Sequence, residues 1–169
     1  MSDTQRVTAI FENKTKAIHA INHLETIGYN HDSISLLVSE NSWNSKEDIK
    51  IQENSKAPEG TAIGATTGGI AAGVVAGLTA TGAVALTGGA GLLAAGPLVA
   101  AFAGAGAGGA AGGIVGGLVG MGIPEVEAKF VDEELGHGHV LVGIETDKER
   151  VNSLKESLKD FSPKKVTIS

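Results

Sequence analysis

The histidines are the residues of this sequence best suited to chemistry, because neutral imidazole is a common ligand of metal ions. His19 and His23 are four residues apart, a spacing that places two side chains on one helix face and occurs in metal sites. His137 and His139 flank Gly138 just before a strand-like run. The sequence fixes no acidic or cysteine ligand beside either pair. We therefore treat these four histidines as candidate ligands only, and predict no metal and no cofactor.

Other kinds of active site lack the residues that they need. The chain contains no cysteine, which excludes disulfides, thiolate nucleophiles and zinc–thiolate sites. Gly-x-Gly repeats occur, as in residues 104–108, but a dinucleotide-binding fingerprint needs a strand before it and an acidic residue later. No phosphate-binding loop with Gly-Lys-Ser/Thr and no supported Ser-His-Asp arrangement is present. A net charge of -6 disfavours nucleic acid as a partner. The sequence therefore predicts a protein that is not an enzyme.

The most unusual pattern is glycine at four-residue spacing within a charge-free segment. Four of the 25 glycines (Gly28, Gly136, Gly138 and Gly143) lie outside residues 60–124, so 21 lie inside, where no charged residue or histidine occurs. Residues four apart stack along one helix face, and a row of glycine lets a second helix backbone approach closely. The predicted helix-packing residues are Gly64, Gly68, Gly69, Gly73, Gly77, Gly104, Gly108, Gly112, Gly116 and Gly120.

These rows predict a glycine-zipper helical hairpin. Residues 61–86 and 97–121 would form its two helices, each about 37 to 39 Å long, with a turn at residues 87–91. Glycine costs a helix about 1 kcal/mol relative to alanine, so such helices need tight packing or a bilayer to form. A bilayer core requires about 20 residues. Two environments remain open: a hairpin that spans a membrane, and a soluble or peripheral oligomer whose hairpins bury one another.

Two βαβ units flank this segment. In the first, residues 6–11 and 33–38 read as strands around a helix that is capped by Asn13 or Thr15 and ended by Gly28. In the second, a short helix runs from Pro124, at its first helical position, to Gly136. Strands at residues 139–144 and 165–168 then enclose a helix that Asp147 caps and Pro163 ends.

The predicted fold is α+β, a ferredoxin-like βαββαβ sandwich of four antiparallel strands and two helices, split by the inserted hairpin. A hairpin suits this position because the inserted chain must leave and return at neighbouring points. The amino terminus lacks the pattern of a secretory signal, which favours a cytoplasmic start. The predicted regions are residues 1–40 (first half-domain), 41–59 (polar linker), 60–123 (helical hairpin) and 124–169 (short helix and second half-domain).

The stretches at residues 7–11, 24–29 and 32–38 together resemble the start of bacterial general stress protein 17M-like (heat-induced YflT-type) domains. The pattern at residues 120–125, the following helix with Gly136, and the strand at residues 140–142 are similar to proteins of unknown function that join this start to a Gly/Ala-rich middle. The resemblance implies a stress-associated bacterial role without a known catalytic site. It carries no functional residue over to this chain.

Together these features predict a stress-associated protein that self-assembles through its glycine-zipper helices. Its expected partners are copies of itself and a lipid bilayer, with an α/β head in the cytoplasm and the hairpin at the inner membrane. The alternative is a soluble homo-oligomeric ferredoxin-like domain in the cytoplasm that binds a small ligand or acts as a sensor.

Overall fold

A computed structural model describes residues 4–39, 41–42, 92–97, 113–120 and 122–169. These ranges form an α+β fold built on one antiparallel sheet. Its strands are β1 (Thr4–Phe11), β2 (Ile34–Ser39), β3 (Leu92–Ala95), β4 (Val140–Asp147) and β5 (Lys165–Ile168). Its α-helices are α1 (Lys14–Thr26), α2 (Gly113–Gly120), α3 (Glu125–Gly136) and α4 (Val151–Lys159), with short 3-10 turns at His31–Ser33 and Lys148–Arg150.

The five strands lie in the order β3-β2-β4-β1-β5, and every neighbouring pair is antiparallel. The centre of the sheet is buried on both faces, so β1, β2 and β4 each contain five consecutive buried residues instead of alternating between buried and exposed. Val38 of β2 pairs with Val140 of β4. The end of β2 and the start of β4 are therefore neighbours in the sheet.

Strand β3 was not predicted from the sequence. It lies within the segment expected to be a helical hairpin, yet it pairs with β2 from Ser39↔Leu92 to Leu36↔Ala95. The four-strand prediction is therefore wrong by one edge strand. At the end of β3, a Cβ on Gly96 would collide with the Ile34 carbonyl oxygen and lie 2.8 Å from the Ser35 Cα. The close approach of these two backbones requires glycine at this position.

Helices cover both faces of the sheet, whereas the predicted βαββαβ sandwich contained two helices. One face packs against α1 and α4 through a core that includes Phe11, Leu24 and Leu158. The other face packs against α2 and α3, where Leu118 and Leu135 bury their side chains. The sheet is thus the middle of three layers, because its two apolar faces both require a partner.

The predicted helix caps are confirmed in part. The Asn13 side chain accepts a hydrogen bond from the Lys16 amide at 2.9 Å, which caps α1. Pro124 directly precedes the first residue of α3 instead of occupying it. Asp147 ends β4 and precedes a 3-10 turn, but its side chain makes no capping hydrogen bond. The chain there needs one tight turn before α4 begins at Val151.

Helix α2 coincides with the last part of the predicted helix at residues 97–121, of which residues 98–112 and 121 lie outside the described ranges. It begins at Gly113, whose φ of +45° lies outside the right-handed helical region. An uninterrupted helix through this position is therefore not present. Eight residues of helix extend about 12 Å. Within the described ranges, no helix combines the length and the apolar character that crossing a bilayer would need.

Candidate functional site

Three side chains that can bind metal ions gather at the end of the sheet where β4 begins. Glu134 lies in the last turn of α3, His137 follows the helix, and His139 directly precedes β4. One ligand atom from each residue lies within 4.8 Å of the others. We call Glu134, His137 and His139 the His–Glu cluster.

The way in which α3 ends creates the His–Glu cluster. The amide of His139 donates to the Glu134 carbonyl at 3.0 Å, and that of Gly138 donates to the Leu135 carbonyl at 3.1 Å. This pair of bonds is a Schellman motif, which turns the chain back over the last helical turn. Gly138 takes the left-handed conformation that the motif needs, with φ +91°. A Cβ there would also lie 2.9 Å from the Ser42 Oγ.

Glu134 is the most buried member of the cluster, with 9% of its side chain exposed. His139 Nδ1 lies 2.7 Å from its Oε2, and Lys164 Nζ lies 2.8 Å from the same oxygen. Both contacts are at ion-pair distance, so the Glu134 carboxylate has two nitrogen neighbours. The adjacent Lys164 ammonium lowers the pKa of Glu134 below its ordinary value, although burial acts in the opposite direction.

Of the four histidines singled out from the sequence, the structure brings together one pair with a third ligand. His137 and His139 face Glu134, which sequence reasoning missed because the intervening residues change from helix to turn. The available signal was the glycine between the histidines, since glycine after a helix is typical of the motif that reverses the chain.

The other pair, on α1, lacks such surroundings. His19 is exposed, and the His23 ring packs against the Phe161 ring of the α4 end, with centroids 5.2 Å apart. In the part of the chain that the structure describes, no third candidate ligand joins these two histidines. His23 therefore contributes to packing between α1 and the end of α4.

Helix α2 carries Gly116 and Gly120, the two predicted helix-packing residues that the structure describes, and begins at Gly113, which was not among the predicted residues. A Cβ placed on Gly113, Gly116 or Gly120 would meet no described atom within 4 Å; we call these three residues the glycine stripe. Val119 beside them is 42% exposed, while Leu118 is fully buried against the sheet. The other predicted packing residues lie outside the described ranges, namely Gly64, Gly68, Gly69, Gly73, Gly77, Gly104, Gly108 and Gly112.

A polar groove of about 220 Å³ lies at the opposite end of the sheet. The Arg150 guanidinium lies over the Tyr29 ring, 4.4 Å from its centroid, and its Nη2 donates to the Ile27 carbonyl at 3.3 Å. The Tyr29 hydroxyl is 3.0 Å from the Thr146 hydroxyl. The groove is smaller than the roughly 300 to 1,000 Å³ of typical ligand pockets, and its central side chains already contact one another.

Together, the three layers, the His–Glu cluster and the glycine stripe define an α+β protein with a polar cluster at one sheet end and a helix face that the described residues leave uncovered. Comparison of the chain with protein-family models, with curated proteins and with solved structures found no match.

Proposed function

We propose that this chain is a non-enzymatic assembly protein whose copies associate through the glycine stripe of α2. The proposal is supported chiefly by the space beside Gly113, Gly116 and Gly120, in which no described atom lies within 4 Å of an added Cβ. Nothing among the described residues requires glycine for space at Gly116 and Gly120, and alanine there would favour the helix by about 1 kcal/mol per position. A second helix packed against the stripe would explain why glycine is present there, because small residues let helix backbones approach closely.

The docking of α2 fixes the direction in which the stripe faces. Leu118 is fully buried in the core between α2, α3 and the sheet, and Ile114 and Val115 pack against the same core. These apolar residues occupy the side of α2 that faces the sheet. The stripe is left on the outer side, where Val119 adds exposed apolar surface. The α/β body thus presents the glycine stripe on a supported helix.

We further propose that the body is a ferredoxin-like sandwich with an insertion. Four strands are spatial neighbours in the sheet, in the order β5-β1-β4-β2. Helix α1 connects β1 to β2, α4 connects β4 to β5, and both helices pack on one face. This connectivity is that of a βαββαβ fold. Strand β3, α2 and α3 would then belong to the inserted chain that covers the second face and displays the stripe.

The bilayer remains part of the proposal, with the α/β body as a cytoplasmic head at the inner membrane. Its support is the charge-free segment at residues 60–124, which holds 21 of the 25 glycines. Backbone groups without hydrogen-bond partners are costly in lipid. A bilayer therefore favours helix formation even in a glycine-rich segment. The role in a stress response rests on the resemblance to general stress protein domains. A small-ligand sensor is the less supported alternative, given the size of the groove near Tyr29.

Mass measurement of the purified full chain tests assembly. We expect size-exclusion chromatography with light scattering, in buffer and in mild detergent, to give an oligomer for the wild type. Gly116→Leu and Gly120→Leu should dissociate it, because a branched side chain holds the backbones apart. The matched control is Gly136→Leu, at another helical glycine with open space around it. A monomeric wild type, or the same oligomer in all variants, would contradict the proposal.

Cell fractionation tests the membrane component separately. We expect the full chain to stay in the membrane pellet after washing with alkaline carbonate, which releases peripheral proteins. Release into the supernatant as an oligomer would overturn the membrane component and leave the assembly proposal intact. The soluble assembly would then be the correct alternative.

A further inference from the structure

The His–Glu cluster joins three groups that bind the same class of ion. Two imidazoles and one carboxylate are the ligand set of several zinc sites that keep a fourth position for water. In this chain they belong to a six-residue stretch, Glu134 to His139, which the turn after α3 folds back on itself. No large loop has to close to bring them together. The ligands are therefore positioned by local backbone structure.

We propose that Glu134, His137 and His139 bind a divalent transition-metal ion of the zinc class. The site is independent of the glycine stripe, and it would stand if the assembly proposal failed. Imidazole nitrogen favours zinc and its neighbours over magnesium and calcium, which prefer oxygen ligands. A metal at this position would connect the end of α3 to the start of β4.

The distances fit this ion after a small adjustment. Ligand atoms of a tetrahedral zinc site, each about 2.0 to 2.1 Å from the metal, are about 3.4 Å from one another. The three ligand atoms here lie within 4.8 Å of each other, and Glu134 Oε2 is 2.7 Å from His139 Nδ1. That pair has to separate by several tenths of an ångström, and His137 has to approach. Rotation of the exposed His137 side chain supplies the second movement.

Two of the ligand atoms already lie side by side. Glu134 Oε2 and His139 Nδ1 are both buried and are 2.7 Å apart. A metal ion between them would coordinate both atoms at once.

Lys164 is the group that the ion must displace. Its ammonium lies 2.8 Å from Glu134 Oε2, and about a third of its side chain is exposed. A lysine side chain with this exposure can rotate into solvent, where its charge is well hydrated. The doubly charged ion would then take the place of a single positive charge beside the carboxylate. Lys164 therefore competes with the metal, and its removal should strengthen binding.

A purely structural role for the cluster makes a different prediction. An ion-pair contact that secures the end of α3 accounts for Glu134, His139 and Lys164. It gives no role to His137, whose side chain is exposed. His137→Gln should therefore leave the stability of the metal-free protein unchanged, whether the cluster binds a metal or only secures the end of α3. Only metal coordination makes His137 important for binding.

Titration of the tag-free, metal-stripped full chain with Co²⁺ tests the site, because four- or five-coordinate Co²⁺ absorbs visible light far more strongly than the hydrated ion. We expect an intense spectrum that Zn²⁺ abolishes by competition. His137→Gln should weaken Co²⁺ binding by at least about tenfold, the lower end of the effect of outer-shell partners, with an unchanged melting temperature without metal. Lys164→Gln should bind more tightly than the wild type.

The double variant His19→Gln/His23→Gln is the matched control, since it removes two imidazoles from α1. It should bind Co²⁺ as the wild type does. The proposal is overturned if the wild type shows only hydrated Co²⁺, if His137→Gln binds with unchanged affinity, or if the α1 double variant is the one that loses the spectrum.

Discussion

Glu134 and His139 are joined through both backbone and side chain. The His139 amide donates to the Glu134 carbonyl at 3.0 Å, while His139 Nδ1 lies 2.7 Å from Glu134 Oε2. The backbone bond ends α3, and the side-chain contact brings a buried carboxylate against an imidazole. The element that terminates the helix therefore also assembles the His–Glu cluster.

Replacement of Gly138 should disturb both features. Gly138→Ala forces a side chain into a left-handed conformation and against the Ser42 Oγ, 2.9 Å away. We expect a loss of about 1 to 2 kcal/mol in the free energy of unfolding, measured by urea denaturation. Gly136→Ala is the control, because its Cβ meets open space on a helix; it should be neutral or stabilise by up to about 1 kcal/mol. Equal effects of the two variants would contradict this reading of the turn.

Acid should weaken the fold through Glu134. Its pKa is lowered in the folded protein by the adjacent Lys164, so the ionised carboxylate contributes stability above the unfolded-state value of about 4.3. That contribution is lost as the pH falls through the lower folded-state pKa. Urea denaturation across this pH range should show a smaller loss of stability for Glu134→Gln than for the wild type. Parallel pH profiles would contradict the prediction.

The packing of α2 on the sheet should depend on Leu118. Its side chain is fully buried, so Leu118→Ala should cost about 2 to 5 kcal/mol of unfolding free energy. Val126→Ala on α3 is the control: with 80% of that residue exposed, we expect a change within about 0.5 kcal/mol. A small effect at Leu118 would mean that α2 is not firmly docked, and the orientation of the glycine stripe would lose its support.

Alanine in the glycine stripe should act in opposite directions on folding and association. Gly116→Ala and Gly120→Ala fit the open space at both positions. Each should stabilise the dissociated chain by about 0.4 to 1 kcal/mol by restricting the unfolded state, measured by urea denaturation at high dilution. Each should also lower the oligomer mass or raise the concentration needed for assembly. If the variants are stabilised without any change in association, the glycine stripe is not part of the interface.

The sheet core was the most predictable part of the structure. Apolar runs and helix signals such as Asn13 predicted the positions of β1, α1, β2, β4, α4 and β5. These positions were predictable because strand burial and helix capping depend on residues that are close together in the sequence. Strand β3 was missed because Leu92–Ala95 is short and its strand character depends on pairing with β2. A four-residue apolar run carries no periodicity that separates a strand from a helix.

The candidate sites were likewise predictable only where they depend on local sequence. The histidines around Gly138 could be selected from residue type, but the third ligand, Glu134, depends on how the end of α3 folds back. Lys164 is distant in the sequence and joins the cluster only through the pairing of β5 with β1. For the glycine rows, four-residue spacing identified a helix face at Gly116 and Gly120, whereas the exposure of that face follows from the burial of Leu118.

Disulfide formation between copies tests most directly whether the outer face of α2 is the interface. The chain has no cysteine, so Val119→Cys places a single thiol beside the glycine stripe while keeping every glycine. A disulfide requires Cα atoms within about 7 Å, a distance reached when two such helices pack closely. The control Ser153→Cys lies exposed on α4, across the sheet. We predict rapid covalent dimerisation of Val119→Cys under mild oxidation and little of Ser153→Cys; a Val119→Cys chain that stays monomeric, or that reacts no faster than the control, would contradict self-association through this face.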